Sequence, residues 1–193
     1  METKLTTNDT LKLVRNMPVD IDGLEAAFDA ATHDERLEVV SRFSVEFQAR
    51  LFDAAHGRLV SVEQLVPNGA VSEEVIHDGI NTLPAFRQFQ KRFARTKSGD
   101  IIGYNHNWYM FATSPGYYVG DFDGEDYVVD YTRLPTEKVS SWPEIIPNES
   151  LLGRFIWVGM VDKIRRVSEH VTIGAAYKDG KALGQYFTLI RRD

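Results

Sequence analysis

A histidine between two asparagines stands in an aromatic segment and could carry acid–base chemistry. His106 lies between Asn105 and Asn107, and Tyr104 and Trp108 flank this polar triplet. An imidazole changes its charge near neutral pH, so His106 could move a proton or orient a ligand. Alternation along a strand places Tyr104, His106 and Trp108 on one inward face. We therefore predict a catalytic His106 with Tyr104 and Trp108 as ligand-binding residues; the alternative is a hydrogen-bonded structural histidine.

His170 is the second candidate for an acid or base. Gly174 and Ala176 share its face along the predicted strand 171–178. Two small residues leave room above a sheet for a ligand, or for a closely packed helix. Glu169 does not complete a dyad with His170, because adjacent strand residues point to opposite faces.

Polar and aromatic residues near the end of another predicted strand could complete a pocket. Tyr131 and Arg133 offer a phenol and a guanidinium that could polarise a carbonyl group or meet an anion. A strand-end salt bridge is the alternative for Arg133. Tyr118 should face the same side as Tyr131 and contact the ligand. Trp142, in the proline-rich segment 134–150, could close the pocket as a lid or plug the core.

The sequence excludes several classes of site. It has no cysteine, so it has no disulfide, thiolate nucleophile or cysteine-ligated metal. The five histidines form no zinc-binding spacing, and the nucleotide-binding and serine-hydrolase motifs are absent. An EF-hand loop starting at Asp121 would have Asp126 and Thr132 where glycine and glutamate are needed. No metal and no cofactor are therefore predicted.

Charge gives one local feature on an acidic chain. The formal net charge is −6, which does not favour a nucleic-acid partner. The exception is segment 84–97, where five cations interleave with Phe86, Phe89 and Phe93 at helical spacing. We predict a basic amphipathic helix there. It either packs on the core or serves as a protein-interaction module.

Other helices are predicted from capping and periodicity. Three pairs have the spacing of a capping box: Asp22 and Glu25, Thr32 and Glu35, and Ser61 and Gln64. Apolar residues at intervals of three and four predict one long helix over about 33–56. Three more helices are predicted: about 8–15, between Ser72 and Gly79, and 160–168.

A first β-hairpin is predicted at Asp123-Gly124, because this pair suits a type I′ turn with positive φ at both central residues. A two-residue turn places Phe122 opposite Glu125. One face is then aromatic and should point inward: Tyr118, Phe122, Tyr127, Val129 and Tyr131.

A second hairpin is predicted at Asp179-Gly180, joining 171–178 to 183–191. Both faces of this strand pair are largely apolar, which indicates that both sides are covered. A further strand is predicted over 104–113.

These elements predict one α+β domain over 1–193, with a helical layer over 1–97 and an antiparallel sheet over 98–193. Five or six strands should curve around a pocket, an arrangement that resembles cone-shaped or lipocalin-like binding folds. The expected function is binding of a small apolar or aromatic ligand; the alternatives are a cofactor-free lyase or isomerase using histidine, and an interaction module. The longest apolar run is seven residues, so we expect a cytoplasmic protein without a membrane partner, compatible with a homo-oligomer.

Overall fold

Eight antiparallel strands form a closed barrel, and short helices pack around it. The computed structural model describes residues 7–67, 70–107 and 110–193, apart from the side chains of 110 and 111. The strands are β1 (Val75–Asn81), β2 (Gln88–Arg95), β3 (Ile101–His106), β4 (Tyr117–Asp123), β5 (Asp126–Asp130), β6 (Met160–Arg166), β7 (Val171–Lys178) and β8 (Lys181–Arg191). Each strand pairs with the next, and β8 pairs with β1. The antiparallel sheet with N-terminal helices is confirmed, but the predicted count of five or six strands is wrong.

Three segments predicted as helices are strands instead: the stretch between Ser72 and Gly79 (β1), 84–97 (β2) and 160–168 (β6). Apolar residues four apart share a face in a helix, and also in a strand, because four is a multiple of the strand period of two. Phe89 and Phe93 in β2, like Met160 and Ile164 in β6, therefore point into the barrel. Strands begin at Val75, so the predicted boundary after residue 97 is too late.

The helices are α1 (Thr7–Leu13), α2 (Ile21–Ala30), α3 (His33–Ser41), α4 (Val45–Ala54), α5 (Val62–Leu65), α6 (Met110–Thr113) and α7 (Gly153–Ile156). The capping boxes that begin at Thr32 and Ser61 are confirmed. The capping box predicted at Asp22 is wrong, because the residue that caps α2 is Asp20. Its carboxylate accepts a hydrogen bond from the Gly23 amide. In the described parts of the chain, no helix has the length and apolar character needed to cross a membrane.

The predicted helix over 33–56 is divided into α3 and α4. The division falls at Ser44, whose hydroxyl accepts a hydrogen bond from the Phe47 amide at 3.1 Å and so begins a new helix. Apolar periodicity continues through this break because α3 and α4 pack on the same surface of the barrel.

The strand pair β7–β8 is covered on both sides, as its apolar faces predict. On the outside, Ile173 and Ile190 join a core with Phe28 and Phe47 from the helices. On the inside, Phe187 belongs to the core of the barrel. The turn between these strands is also confirmed, with positive φ at both Asp-Gly residues, 179 and 180.

Two further segments cover the barrel. The helix α5 packs over one end, where Leu65 contacts the internal core and its carbonyl accepts a hydrogen bond from the His77 ring. The proline-rich segment 134–150 lies on the outer face of β3 and β4, where Trp142 packs against Tyr117. The candidate site lies at the other end of the barrel, opposite α5.

The first hairpin has the predicted glycine conformation but a different register. Gly124 has φ +62°, as expected. The turn residues are Gly124 and Glu125, so Phe122 lies opposite Tyr127 rather than Glu125. A displacement of two residues keeps every side chain on its predicted face. Tyr127 is accordingly buried, whereas Phe122 at the tip of the hairpin is exposed.

Replacing Gly124 with valine should lower the free energy of unfolding by about 1–2 kcal/mol, because a β-branched residue is strained at positive φ. A Cβ atom at this position meets no heavy atom within 4 Å, so the cost comes from the backbone alone. Urea denaturation measures it. Glu125→Val in the same turn is the control and should change stability by less than about 0.5 kcal/mol. Equal stability of Gly124→Val and wild type would contradict this turn geometry.

Candidate ligand-binding cavity

A cavity of about 130 Å³ opens at the end of the barrel opposite α5. Its size is similar to the roughly 150 Å³ cavity that binds benzene in an engineered protein. Much of its wall is apolar: Phe89, Ile156, Trp157, Met160, Ala176 and Phe187. The space therefore suits a small molecule with an aromatic or aliphatic body.

Four buried polar residues on the cavity wall form one hydrogen-bonded group, the Lys91 network: Lys91, Asn105, Tyr131 and Asp162. The Lys91 ammonium donates to Asp162 Oδ2 at 2.9 Å, to Asn105 Oδ1 at 3.2 Å and to the Tyr131 hydroxyl. The Tyr131 hydroxyl donates to Asp162 Oδ2 at 3.0 Å and accepts from Asn105 Nδ2 at 2.7 Å. All three ammonium protons thus have acceptors.

The barrel brings the network together from four separate strands. Lys91 lies in β2, Asn105 in β3 and Asp162 in β6, while Tyr131 directly follows β5. Each side chain points inward because it occupies the same strand face as internal apolar residues, as Lys91 does between Phe89 and Phe93. Closure of the barrel is what makes these distant residues neighbours.

Burial sets the electrostatics of the network. The Lys91 side chain is 1% exposed, and this loss of water lowers its pKa, although the Asp162 carboxylate opposes the shift. Burial also raises the pKa of Tyr131 well above its ordinary value. The Lys91 ammonium nitrogen lies 5.0–5.1 Å from the ring centres of Tyr118, Tyr131 and Phe187, so aromatic faces replace part of its hydration.

A further polar atom lines the cavity without a partner in the described part of the chain. Asn107 is buried, and its Oδ1 atom has no hydrogen-bond partner there. An unpaired buried carbonyl costs about 1–3 kcal/mol. A ligand hydroxyl or amine that donates to Asn107 would recover that cost.

Comparisons with protein-family models, curated proteins and solved structures found no match to this chain.

Two of the residues predicted for the site lie inside the barrel. Tyr131 lines the cavity and belongs to the Lys91 network. Tyr118 is fully buried next to it, with ring centres 5.4 Å apart, and donates its hydroxyl proton to the Arg92 carbonyl at 3.1 Å. Tyr118 therefore packs against the Lys91 network without lining the cavity itself.

Tyr104 lies on the outer surface of the barrel, so its predicted place in an internal pocket is wrong. Trp142 packs on Tyr104 there and does not line the cavity, which contradicts the lid, one of its two predicted roles. Their rings pack 5.2 Å apart under the proline-rich segment, and the Trp142 indole donates to Glu74 at 2.7 Å. The predicted strand 104–113 ends at His106, and its inward residue is Asn105. The alternation of side chains along this strand was inferred correctly, but the inward and outward faces were exchanged: Tyr104 points outward and Asn105 points inward.

His106 shares the outer face with Tyr104 and is exposed. It borders a second cavity, of about 320 Å³, with Asp78 and Gln90 rather than the cavity at the end of the barrel, and loss of water lowers its pKa. Trp108, the remaining predicted ligand-binding residue, lies outside the described residues.

His170 and Arg133 are also away from the cavity. His170 lies just before β7 at the α5 end of the barrel, where its Nδ1 atom is 3.0 Å from an Asp193 carboxylate oxygen. Arg133 is half exposed and pairs with Asp121 at 3.0 Å, so its predicted inward direction is wrong. The strand-end salt bridge that was its alternative interpretation is present.

Sequence reasoning missed Lys91, Asn105 and Asp162 as site residues. Lys91 was assigned to the polar face of a helix, where a cation needs no partner. With β2 as a strand, the same spacing puts Lys91 on the inward face between Phe89 and Phe93. A lysine at an inward strand position would have indicated a buried polar network, because a buried lysine requires a partner.

Metal ligation has no support in the described residues, where no group of three or more histidine, aspartate or glutamate side chains is placed to hold an ion.

Proposed function

We propose that this protein binds a small, partly apolar molecule in the barrel cavity, with a hydroxyl or carbonyl group of the ligand beside the Lys91 network. The observation that carries the proposal is a buried lysine–aspartate pair on the wall of an otherwise apolar cavity. Small-molecule sites typically combine apolar walls with a few placed polar groups.

Stability alone is a weak reason for such a pair. Removing two charges from water costs about as much as their attraction returns, and apolar residues of similar volume often serve a core better. Buried ionisable groups beside a cavity are accordingly candidates for function. Because Asp162 neutralises Lys91, the proposal favours an uncharged ligand over an anion.

The two alternatives from the sequence have less support. A lyase or isomerase with a histidine acid or base would need that histidine in the cavity, and none is among the described residues that line it. An interaction module built on a basic helix over 84–97 lacks the helix, because this segment contains β2 and directs Lys91 inward.

The other expectations from the sequence stay predictions. They are a cytoplasmic location, a cone- or lipocalin-like pocket, the absence of cofactor, nucleic-acid and membrane partners, and a chain compatible with homo-oligomerisation.

Benzyl alcohol should change the fluorescence of Trp157, which lines the cavity and stacks on Tyr131 with ring centres 5.0 Å apart. We expect saturable quenching in wild type, most of which is lost in Trp157→Phe and kept in Trp142→Phe. Both tryptophans are buried, but only Trp157 lines the cavity among the described residues. Quenching that follows Trp142 instead would contradict the proposed site.

Filling the cavity gives an independent test of the same proposal. Ala176→Leu adds volume to the cavity wall and should abolish the rise in melting temperature that benzyl alcohol causes in wild type. Ala182→Leu is the matched control in the same hairpin, at an exposed position. If Ala176→Leu folds and still shows the full rise in melting temperature, the ligand binds elsewhere.

A further inference from the structure

We propose that Lys91 acts as a nucleophile that forms a Schiff base with a small aldehyde or ketone held in the cavity. This inference rests on the proposed function and names the class of ligand. It starts from the position of the Lys91 amine, which lies on the cavity wall among aromatic rings. Amines desolvated in apolar pockets are the lysines that attack carbonyl groups.

A nucleophilic lysine must first lose a proton, and the network contains an acceptor for it. Asp162 Oδ2 is 2.9 Å from the ammonium nitrogen, so the proton can pass directly from Lys91 to the carboxylate. The transfer replaces two buried charges by an amine and a carboxylic acid. Burial of Lys91 acts in the same direction, because loss of water lowers the pKa of its ammonium group.

The bond-forming step moves a second proton by a different path. The Lys91 amine attacks the carbonyl carbon, a C–N bond forms, and the electron pair of the C=O π bond moves to oxygen. Nitrogen loses a proton and oxygen gains one through the Tyr131 hydroxyl, which contacts both Lys91 and Asp162. The product is a neutral carbinolamine.

Loss of water completes the Schiff base. The Asp162 carboxylic acid gives its proton to the carbinolamine hydroxyl, which departs as water, and nitrogen forms the C=N double bond. The iminium cation then faces the Asp162 carboxylate, so the original charge pair is restored. Overall, one ammonium and one carbonyl group give one iminium and one water, without oxidant or reductant.

Asn105 is a positioning residue in this scheme. Its side-chain amide bonds both the ammonium of Lys91 and the hydroxyl of Tyr131, at 3.2 and 2.7 Å. These bonds fix the direction of the amine relative to the cavity and hold the phenol between Lys91 and Asp162. Replacement of Asn105 should disturb reactivity without removing a reacting atom.

Reductive trapping tests the inference on the full chain. Wild-type protein is incubated with benzaldehyde and sodium cyanoborohydride at neutral pH, and the benzylated lysines are located by peptide mass spectrometry. We expect Lys91 to be modified at least ten times faster than the exposed Lys181 in the same molecule. Exposed lysines remain protonated at this pH and react slowly.

Variants separate chemical from structural effects. Asp162→Asn removes the group that takes the Lys91 proton and later returns one to the carbinolamine hydroxyl, so it should slow trapping at Lys91 at least tenfold at neutral pH. Tyr131→Phe should slow it less. Labelling of Lys181 should be the same in each variant, which controls for the reagent. A Lys91 rate that is insensitive to both substitutions would overturn the assigned proton path.

The two proposals fail in different ways. If benzaldehyde raises the melting temperature but Lys91 reacts no faster than Lys181, the Schiff-base inference is wrong and ligand binding stands. If benzaldehyde neither binds nor labels Lys91, both are wrong. Selective labelling of Lys91 in wild type supports both, whatever the stability of the variants.

Discussion

Lys91→Met should lower the free energy of unfolding by about 3–5 kcal/mol, because it leaves the buried Asp162 carboxylate without its counter-charge. The double variant Lys91→Met with Asp162→Leu should recover most of this loss, since it removes both charges. We therefore expect the double variant to be more stable than either single one. Chemical denaturation of the four proteins measures the pattern directly.

An exposed ion pair provides the control. Arg133→Met breaks the pair with Asp121 on the barrel surface and should cost less than about 1 kcal/mol. If Lys91→Met costs no more than this, the Lys91–Asp162 pair is not buried as described. A double variant less stable than both single variants would also contradict the account, because the loss would then come from packing rather than unpaired charge.

Stability should fall as the pH is lowered from about 6.5 to about 4, with His77 as a major cause. His77 is 1% exposed inside the barrel, and burial lowers its pKa to about 4. In the unfolded chain the same ring takes up a proton near pH 6.5, so protons favour unfolding across this interval. The expected loss from His77 is about 3 kcal/mol, complete near pH 4 and absent above pH 7.

Comparison of two histidine variants isolates this effect from the carboxylates. His77→Gln should make stability less dependent on pH between 7 and 4.5, because the titrating ring is gone. His56→Gln removes an exposed ring beside Glu125 and should leave the dependence unchanged. Equal pH profiles for wild type and His77→Gln would show that His77 is not held neutral in the folded protein.

Local features of the fold could be predicted because they depend on neighbouring residues. The capping box from Thr32 to Glu35 needs only one helical turn, and the positive φ of Gly124 and Gly180 needs only one hairpin turn. The prediction that both faces of β7–β8 are covered was also local, because it follows from apolar residues on both faces of two adjacent strands.

Non-local features could not be predicted in the same way. Closure of the barrel depends on pairing of β1 with β8, for example Gly79 with Leu189, which are far apart in the sequence. The spacing of Phe89 and Phe93 fits both a helix and a strand, so the sequence pattern does not decide between them. Without β2 as a strand, Lys91 has no inward direction and the network cannot be found.

The inward direction of one predicted site residue was inferred correctly for the same reason. Tyr131 was placed inward from the hairpin pattern, and it does line the cavity. The segment around His106 was given the opposite face, because its aromatic residues looked more suitable for a core than its asparagines. In the barrel, Tyr104 is buried from outside by Trp142, while Asn105 takes the inward position beside Lys91.

The most direct test of ligand binding in the cavity is an NMR titration of isotope-labelled protein with benzyl alcohol. The account predicts saturable shifts that are largest at Met160, Asp162 and Ala176, whose side chains line the cavity. Shifts centred on Tyr104 and Trp142, or no saturable shift anywhere, would contradict it.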